Sequence, residues 1–199
     1  MQAVRTIFLF FGAVFALLLI TIGIVGYLIT GPAAREVEAN PVAVTEEAAQ
    51  RLDDKIDALE QEVDEAIARG EHRRVTLVIT EEEATSKIKA LSDEGEIGID
   101  IDRIQIHFID GRVHGFAKID LIIKFQMSFR AEIEVEDGEV DIKIVSFNLG
   151  RISIPSPLID QVMRAVMRLV DERLEEEIDI ELEQIIVENG EMIVTGATK

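Results

Sequence analysis

The chain has 199 residues, 48% of them hydrophobic, with 39 acidic against 20 basic side chains and no cysteine. Disulfides, thiolate catalysis and cysteine-ligated metals are therefore excluded, and a net charge of −19 repels nucleic acid and anionic headgroups alike. The length suits one sizeable core with a small appendage, not two large domains.

Residues 7–29 read IFLFFGAVFALLLITIGIVGYLI, without a charge. As a helix they run about 35 Å, enough to span a bilayer, so a single transmembrane helix is expected. The stretch exceeds the roughly 7–15-residue apolar core of a signal peptide, although Gly31-Pro32-Ala33-Ala34 could serve as a cleavage site. Arg5 lies on the short N-terminal side, whereas every acidic residue follows position 35. The positive-inside rule then places residues 36–199 outside the cytoplasm, giving a single-pass protein of the cell membrane.

Asn40-Pro41 breaks the chain, and residues 45–69 read as an amphipathic helix closed by Gly70. Leu52, Ile56, Leu59 and Val63 alternate by four and three, which allows a short coiled-coil seam with an envelope protein partner. Barely three heptads seldom hold alone, and packing on the chain's own domain is the simpler reading. This gives three regions: an anchor at 1–35, an acidic linker and helix at 36–73, and a β-rich domain at 74–199.

Within that domain Val75 to Ile79 reads as a strand. Thr80 follows as a helix cap, with Glu83 placed to reach back to it, for a helix running to about Leu91. Ile97, Ile99 and Ile101 alternate, and the phase then slips at Asp102-Arg103 to Ile104, Ile106 and Phe108, the pattern of a bulge in a curved sheet. Asp110-Gly111, Asp137-Gly138 and Asn189-Gly190 each sit between alternating runs, which signals hairpins. An antiparallel meander over 97–109, 112–120, 121–136, 139–147, 178–188 and 191–196 is expected, with no turn signal at Asp120-Leu121.

From Leu121 to Val135 every second residue is apolar, a period of two that predicts one long strand with a greasy face. Ser156-Pro157 then caps a helix over 157–174 whose apolar stripe is made to lie on such a face. The expected fold is thus α+β, a curved antiparallel sheet wrapped around that helix.

The order of these parts, the run Glu132 to Val162 (EIEVEDGEVDIKIVSFNLGRISIPSPLIDQV) and the closing Asn189-Gly190 hairpin with Val194-Thr195-Gly196 resemble the YpmS-like and LmeA-like membrane-anchored extracytoplasmic proteins. Through them the chain is similar to the tubular lipid-binding superfamily. That resemblance covers about residues 75–199 and implies a curved sheet around a long helix with lipid between them. It names no headgroup and carries no catalytic residue.

Two readings of the apolar wall stay open. As core it packs on the 157–174 helix and nothing else is needed. As a groove it takes a lipid or another long apolar ligand, lined by Leu121, Ile123, Phe125, Met127, Phe129 and Ile133 of the strand and by Ile159, Met163, Val166, Met167 and Val170 of the helix. The rival function is a structural or assembly protein of the envelope working through its acidic exterior or the 45–69 helix.

His107 and His114 fall opposite each other across the Asp110-Gly111 turn, but no third metal ligand is evident beside them. Asp100 and Asp102 share a face that suits weak calcium binding or, more simply, solvent. Nucleophile-elbow, phosphate-loop and zinc-helix signatures are missing, so neither an enzyme nor a cofactor is expected.

Overall fold

The computed structural model describes residues 40–95, 101–120, 124–155 and 180–198. The chain opens with helix α1 (Glu46–Arg69), whose N-cap Thr45 accepts from the Ala48 amide and whose C-cap Gly70 turns left-handed at φ 64°. Strand β1 (Arg74–Thr80) runs directly into helix α2 (Glu81–Asp93), and the capping box forms as its sequence requires. Thr80 takes the Glu83 amide while the Glu83 carboxylate takes the Thr80 amide.

Five strands follow as a meander: β2 (Ile101–Ile109), β3 (Arg112–Asp120), β4 (Lys124–Glu136), β5 (Glu139–Leu149) and the two-residue β6 (Ile152–Ser153). A second sheet is separate, with β1 and β7 (Ile180–Glu188) flanking β8 (Glu191–Thr198). Asp110-Gly111 and Asp137-Gly138 turn with both residues at positive φ, as tight hairpins demand. At Asn189-Gly190 only the glycine does, with φ 96°. The bulge falls where the phase slips, between Ile101 and Arg103, and two more appear at Val145 and Glu183, each an extra residue in its strand.

The expected architecture is corrected in two respects. Instead of one curved sheet wrapped around a helix there are two sheets, and among the described residues no helix is enclosed by either. Among the described residues, the apolar face of the larger sheet is covered by Val187 and Met192 of the β7–β8 hairpin and by Ala84 and Ile88 of α2. The cause is a long-range pairing: β1 joins β8 from Arg74↔Ala197 to Thr80↔Glu191, so the closing hairpin forms a second sheet instead of extending the meander. The sheet-around-helix form of the tubular lipid-binding proteins is thus not what these residues build, and the 157–174 segment lies outside them.

Second, no helix among the described residues is long and apolar enough to cross a membrane. The single transmembrane helix expected at 7–29 lies outside them, and α1, though 24 residues long, is too charged. The long strand is also shorter than its pattern suggests. Asp120 pairs with Lys124 as antiparallel partners, so β3 and β4 are separate strands, and the described part of the wall begins at Phe125.

Helix α1 lies on α2 and β1. Ala48, Ala49, Leu52, Val63 and Ala66 are buried, and Ile56 and Leu59 are half-buried, so the seam residues turn towards their own domain. Arg51 bonds Glu82 at 2.9 Å, Lys87 bonds Asp53 at 2.6 Å, and Lys55 reaches both Glu83 and the Val78 carbonyl at 2.8 Å. The Glu83 side chain is 3% exposed. Burial alone would raise its pKa, but hydrogen bonds from Lys55 and from the Thr80 backbone, with the Lys55 charge, outweigh this and hold it below the usual carboxylate range.

Strand β2 is the edge of the larger sheet, and α2 plugs it. Thr85 Oγ1 accepts from the Ile106 amide at 3.0 Å, a Glu81 oxygen accepts from the Phe108 amide at 2.7 Å, and Ser92 Oγ accepts from the Ile101 amide at 3.0 Å. Each buried donor left open would cost about 1–3 kcal/mol, and an open edge would recruit other strands. Helix and turn side chains thereby do what a sixth strand would do.

Candidate functional site

Pairing register places the apolar residues of the large sheet in rows on one face. Ile104, Ala117, Met127 and Leu149 form one row; Ile106, Gly115, Phe129 and Phe147 the next; Phe108, Val113, Ala131 and Ile144 a third; Ile133–Ile142 and Val135–Val140 extend it along β4 and β5. With strands about 4.8 Å apart and same-face residues about 6.6 Å apart, the face measures roughly 15 by 25 Å, as long as an extended acyl chain and much wider.

Coverage of this face is uneven. Ile104, Ile106, Phe108, Val113 and Ala117 on β2 and β3 are buried, as is Ala131 on β4, whereas Phe125, Met127, Phe129 and Ile133 on β4 and Ile142, Ile144, Phe147 and Leu149 on β5 are half-buried. Gly115 is what lets the Phe129 ring lie flat: a Cβ there would overlap the ring. Four expected lining residues, Phe125, Met127, Phe129 and Ile133, are therefore brought together on one face. Leu121, Ile123, Ile159, Met163, Val166, Met167 and Val170 lie outside the described residues.

A second feature is an open cleft of about 830 Å³ where four segments meet: residues 40–42, the start of α2, the end of β2 and the Asn189-Gly190 turn. Its walls are tied together through the backbone. The Gly190 amide bonds the Phe108 carbonyl at 2.9 Å, the Glu81 amide bonds the Gly190 carbonyl at 3.1 Å, and Gln105 grips Val42 through both its amide and its carbonyl. His107, 8% exposed, sets Nδ1 3.3 Å from Glu81, while its buried Nε2 has no hydrogen-bond partner among the described residues.

Of the four carboxylates that line this cleft, three are committed, and the fourth, Asp110, stands exposed. Glu81 holds Phe108 and His107, Glu82 holds Arg51 and Thr45, and Glu83 holds Lys55. Thr80, the one hydroxyl among its lining residues, is the helix cap. The cleft therefore joins elements and presents no base poised on a nucleophile.

His107 does stand directly opposite His114, as the turn spacing predicts, yet it faces Glu81. Among the described residues no group of three His, Asp or Glu side chains is arranged to hold a metal. Asp102 is occupied by Lys118 at 2.7 Å, and Asp100 lies outside the described residues.

Sequence reasoning missed the other face of the sheet. Period-two alternation does assign Ser128 and Arg130 to the polar side of β4, but only the register brings them beside Asn148 and Ser146 of β5. The bulge at Val145 breaks the count that would have aligned them. No family model, no curated protein and no solved structure matches this chain.

Proposed function

We propose that this chain is a binding module for a lipid or another long apolar molecule, held at a membrane through residues 7–29 with the rest outside the cytoplasm. One observation carries the ligand: the apolar face is closed over β2 and β3 but half-covered over β4 and β5, where Phe125, Met127, Phe129 and Ile133 stand beside Ile142, Ile144, Phe147 and Leu149. A continuous apolar surface of this size that the described residues leave half-covered suits an interaction site. Its aliphatic and Met lining suits a flexible hydrocarbon. The resemblance to YpmS-like and LmeA-like proteins, and the charge asymmetry about residues 7–29, support the same reading. No catalytic role is assigned.

Partnership through the 45–69 helix has less support, because its seam residues Leu52 and Val63 are spent on the domain itself. The test is a fluorescence titration of the full chain with a polyene fatty acid, repeated with Met127→Glu. On a half-open face the new carboxylate stays wet, so folding is retained while uptake falls at least about tenfold. Absence of saturable uptake by the unaltered chain, or full uptake by the variant, refutes the reading.

A further inference from the structure

The side of the large sheet opposite the apolar wall carries a feature unexpected in so acidic a chain. Register aligns His107, His114, Arg130 and Ser146 in one row across four strands, and Ser128 with Asn148 in the next. Arg130 Nε donates to Ser146 Oγ at 3.1 Å, and Asn148 donates to Ser128 at 3.3 Å. Arg51, Arg69, Arg73, Arg74 and Arg112 are each tied to a carboxylate. Among the described residues neither Arg103 nor Arg130 is tied in this way; the partner of Arg130 is a hydroxyl, and its two terminal amino groups are uncommitted.

The nearby acid Glu132 is turned to Arg112, from which one of its oxygens takes two bonds, at 2.9 and 2.7 Å. Burial is the main cause that lowers the pKa of His114; the charges of Arg130, Arg112 and His107 add to it, against Asp110. The positive charge of Arg130 on this face favours an anion.

We propose that Arg130 and Ser146, flanked by His114 and Asn148, seat a phosphate-type oxyanion, either free phosphate or the headgroup of an acidic lipid. The terminal amino groups of a guanidinium offer paired donors to two oxygens of such a group. The Ser146 hydroxyl accepts from Nε and keeps its own proton to donate to a third. Strands β4 and β5, about 4.8 Å apart, supply these donors from two sides, which suits a tetrahedral anion better than a planar carboxylate. The seat lies on the face opposite the apolar wall, so the inference stands whether or not that wall takes a ligand.

The experiment is calorimetric titration of the full-length chain in uncharged detergent at fixed ionic strength. Inorganic phosphate is one probe and dihexanoyl phosphatidic acid the other. Both are titrated into the unaltered chain, Arg130→Gln, Arg130→Lys, Ser146→Ala and the control Arg69→Gln, with circular dichroism confirming the fold of each. Arg130→Gln is expected to weaken binding at least tenfold, Ser146→Ala about threefold, and Arg130→Lys to an intermediate degree, while Arg69→Gln leaves it unchanged. Equal affinity for the two probes identifies free phosphate as the ligand, and tighter phosphatidic acid binding identifies the headgroup. No binding of either probe, binding that survives Arg130→Gln, or equal losses in Arg130→Gln and Arg69→Gln overturns the proposal.

Discussion

Replacing Lys55 by Met tests how α1 is held. The side chain keeps its length and apolar stem but loses the ammonium that bonds Glu83 and the Val78 carbonyl, both at 2.8 Å. A charge-assisted hydrogen bond contributes about 1.5–3 kcal/mol. Lys55 is 38% exposed, so water partly replaces it, and the Thr80 amide stays on the carboxylate at 3.0 Å. The expected loss is therefore about 2 kcal/mol, or roughly 4–8 °C in Tm for a chain of this size. Urea unfolding followed by circular dichroism, at a series of pH values, reads it out. Because Glu83 has its pKa lowered in the fold, its contribution is present above the unfolded value and is lost as pH falls through the folded one. The gap between the two proteins should thus be full at neutral pH and close in strong acid. A gap under about 0.5 kcal/mol at pH 7, or one that persists undiminished where Glu83 is protonated, refutes the argument.

Two further changes probe the frame. Thr85→Val keeps the buried shape but strips the Ile106 amide of its acceptor. It should cost about 1–3 kcal/mol by urea titration and raise light scattering on mild heating, as the β2 edge opens. Gly196→Ala places a methyl 2.6 Å from Ile180 Cγ2 and 2.9 Å from the Glu181 carbonyl oxygen. Backbone cannot yield as a side-chain tip can, so a loss of about 1–3 kcal/mol is expected in the same assay, and an unchanged midpoint would disprove the close approach.

What could be read in the sequence is what is local. Thr80 and Glu83 are three residues apart and their capping box forms; the Asp-Gly pairs turn; the slip beside Asp102 is a bulge. Each of these signals lies within one short stretch of chain. The division into two sheets is not of this kind, because nothing in Arg74–Thr80 names Glu191–Thr198 as its partner. Likewise β2 shows alternation that implies one buried face, yet Gln105 and His107 on the other face are buried too, beneath contacts from Val42 and Glu81. Glu81 and Thr85 read as ordinary residues of a helix start, and only the tertiary arrangement turns them into plugs for a strand. At the apolar wall, the period of two identified the face, while how much of it is covered depended on a hairpin some fifty residues further on.

The plugged edge also bears on the order in which the chain assembles. Thr85 and Ile106 are 21 residues apart, whereas the contacts that pin the small sheet, such as Arg73 with Thr198, span 125. Loop closure favours the shorter link by on the order of 1.5 kcal/mol. Helix α2 can therefore reach β2 while the meander is still growing, and before β8 has left the ribosome to meet β1. The vulnerable edge is guarded from its first appearance, and the small sheet closes last as a latch on a structure already protected from its neighbours.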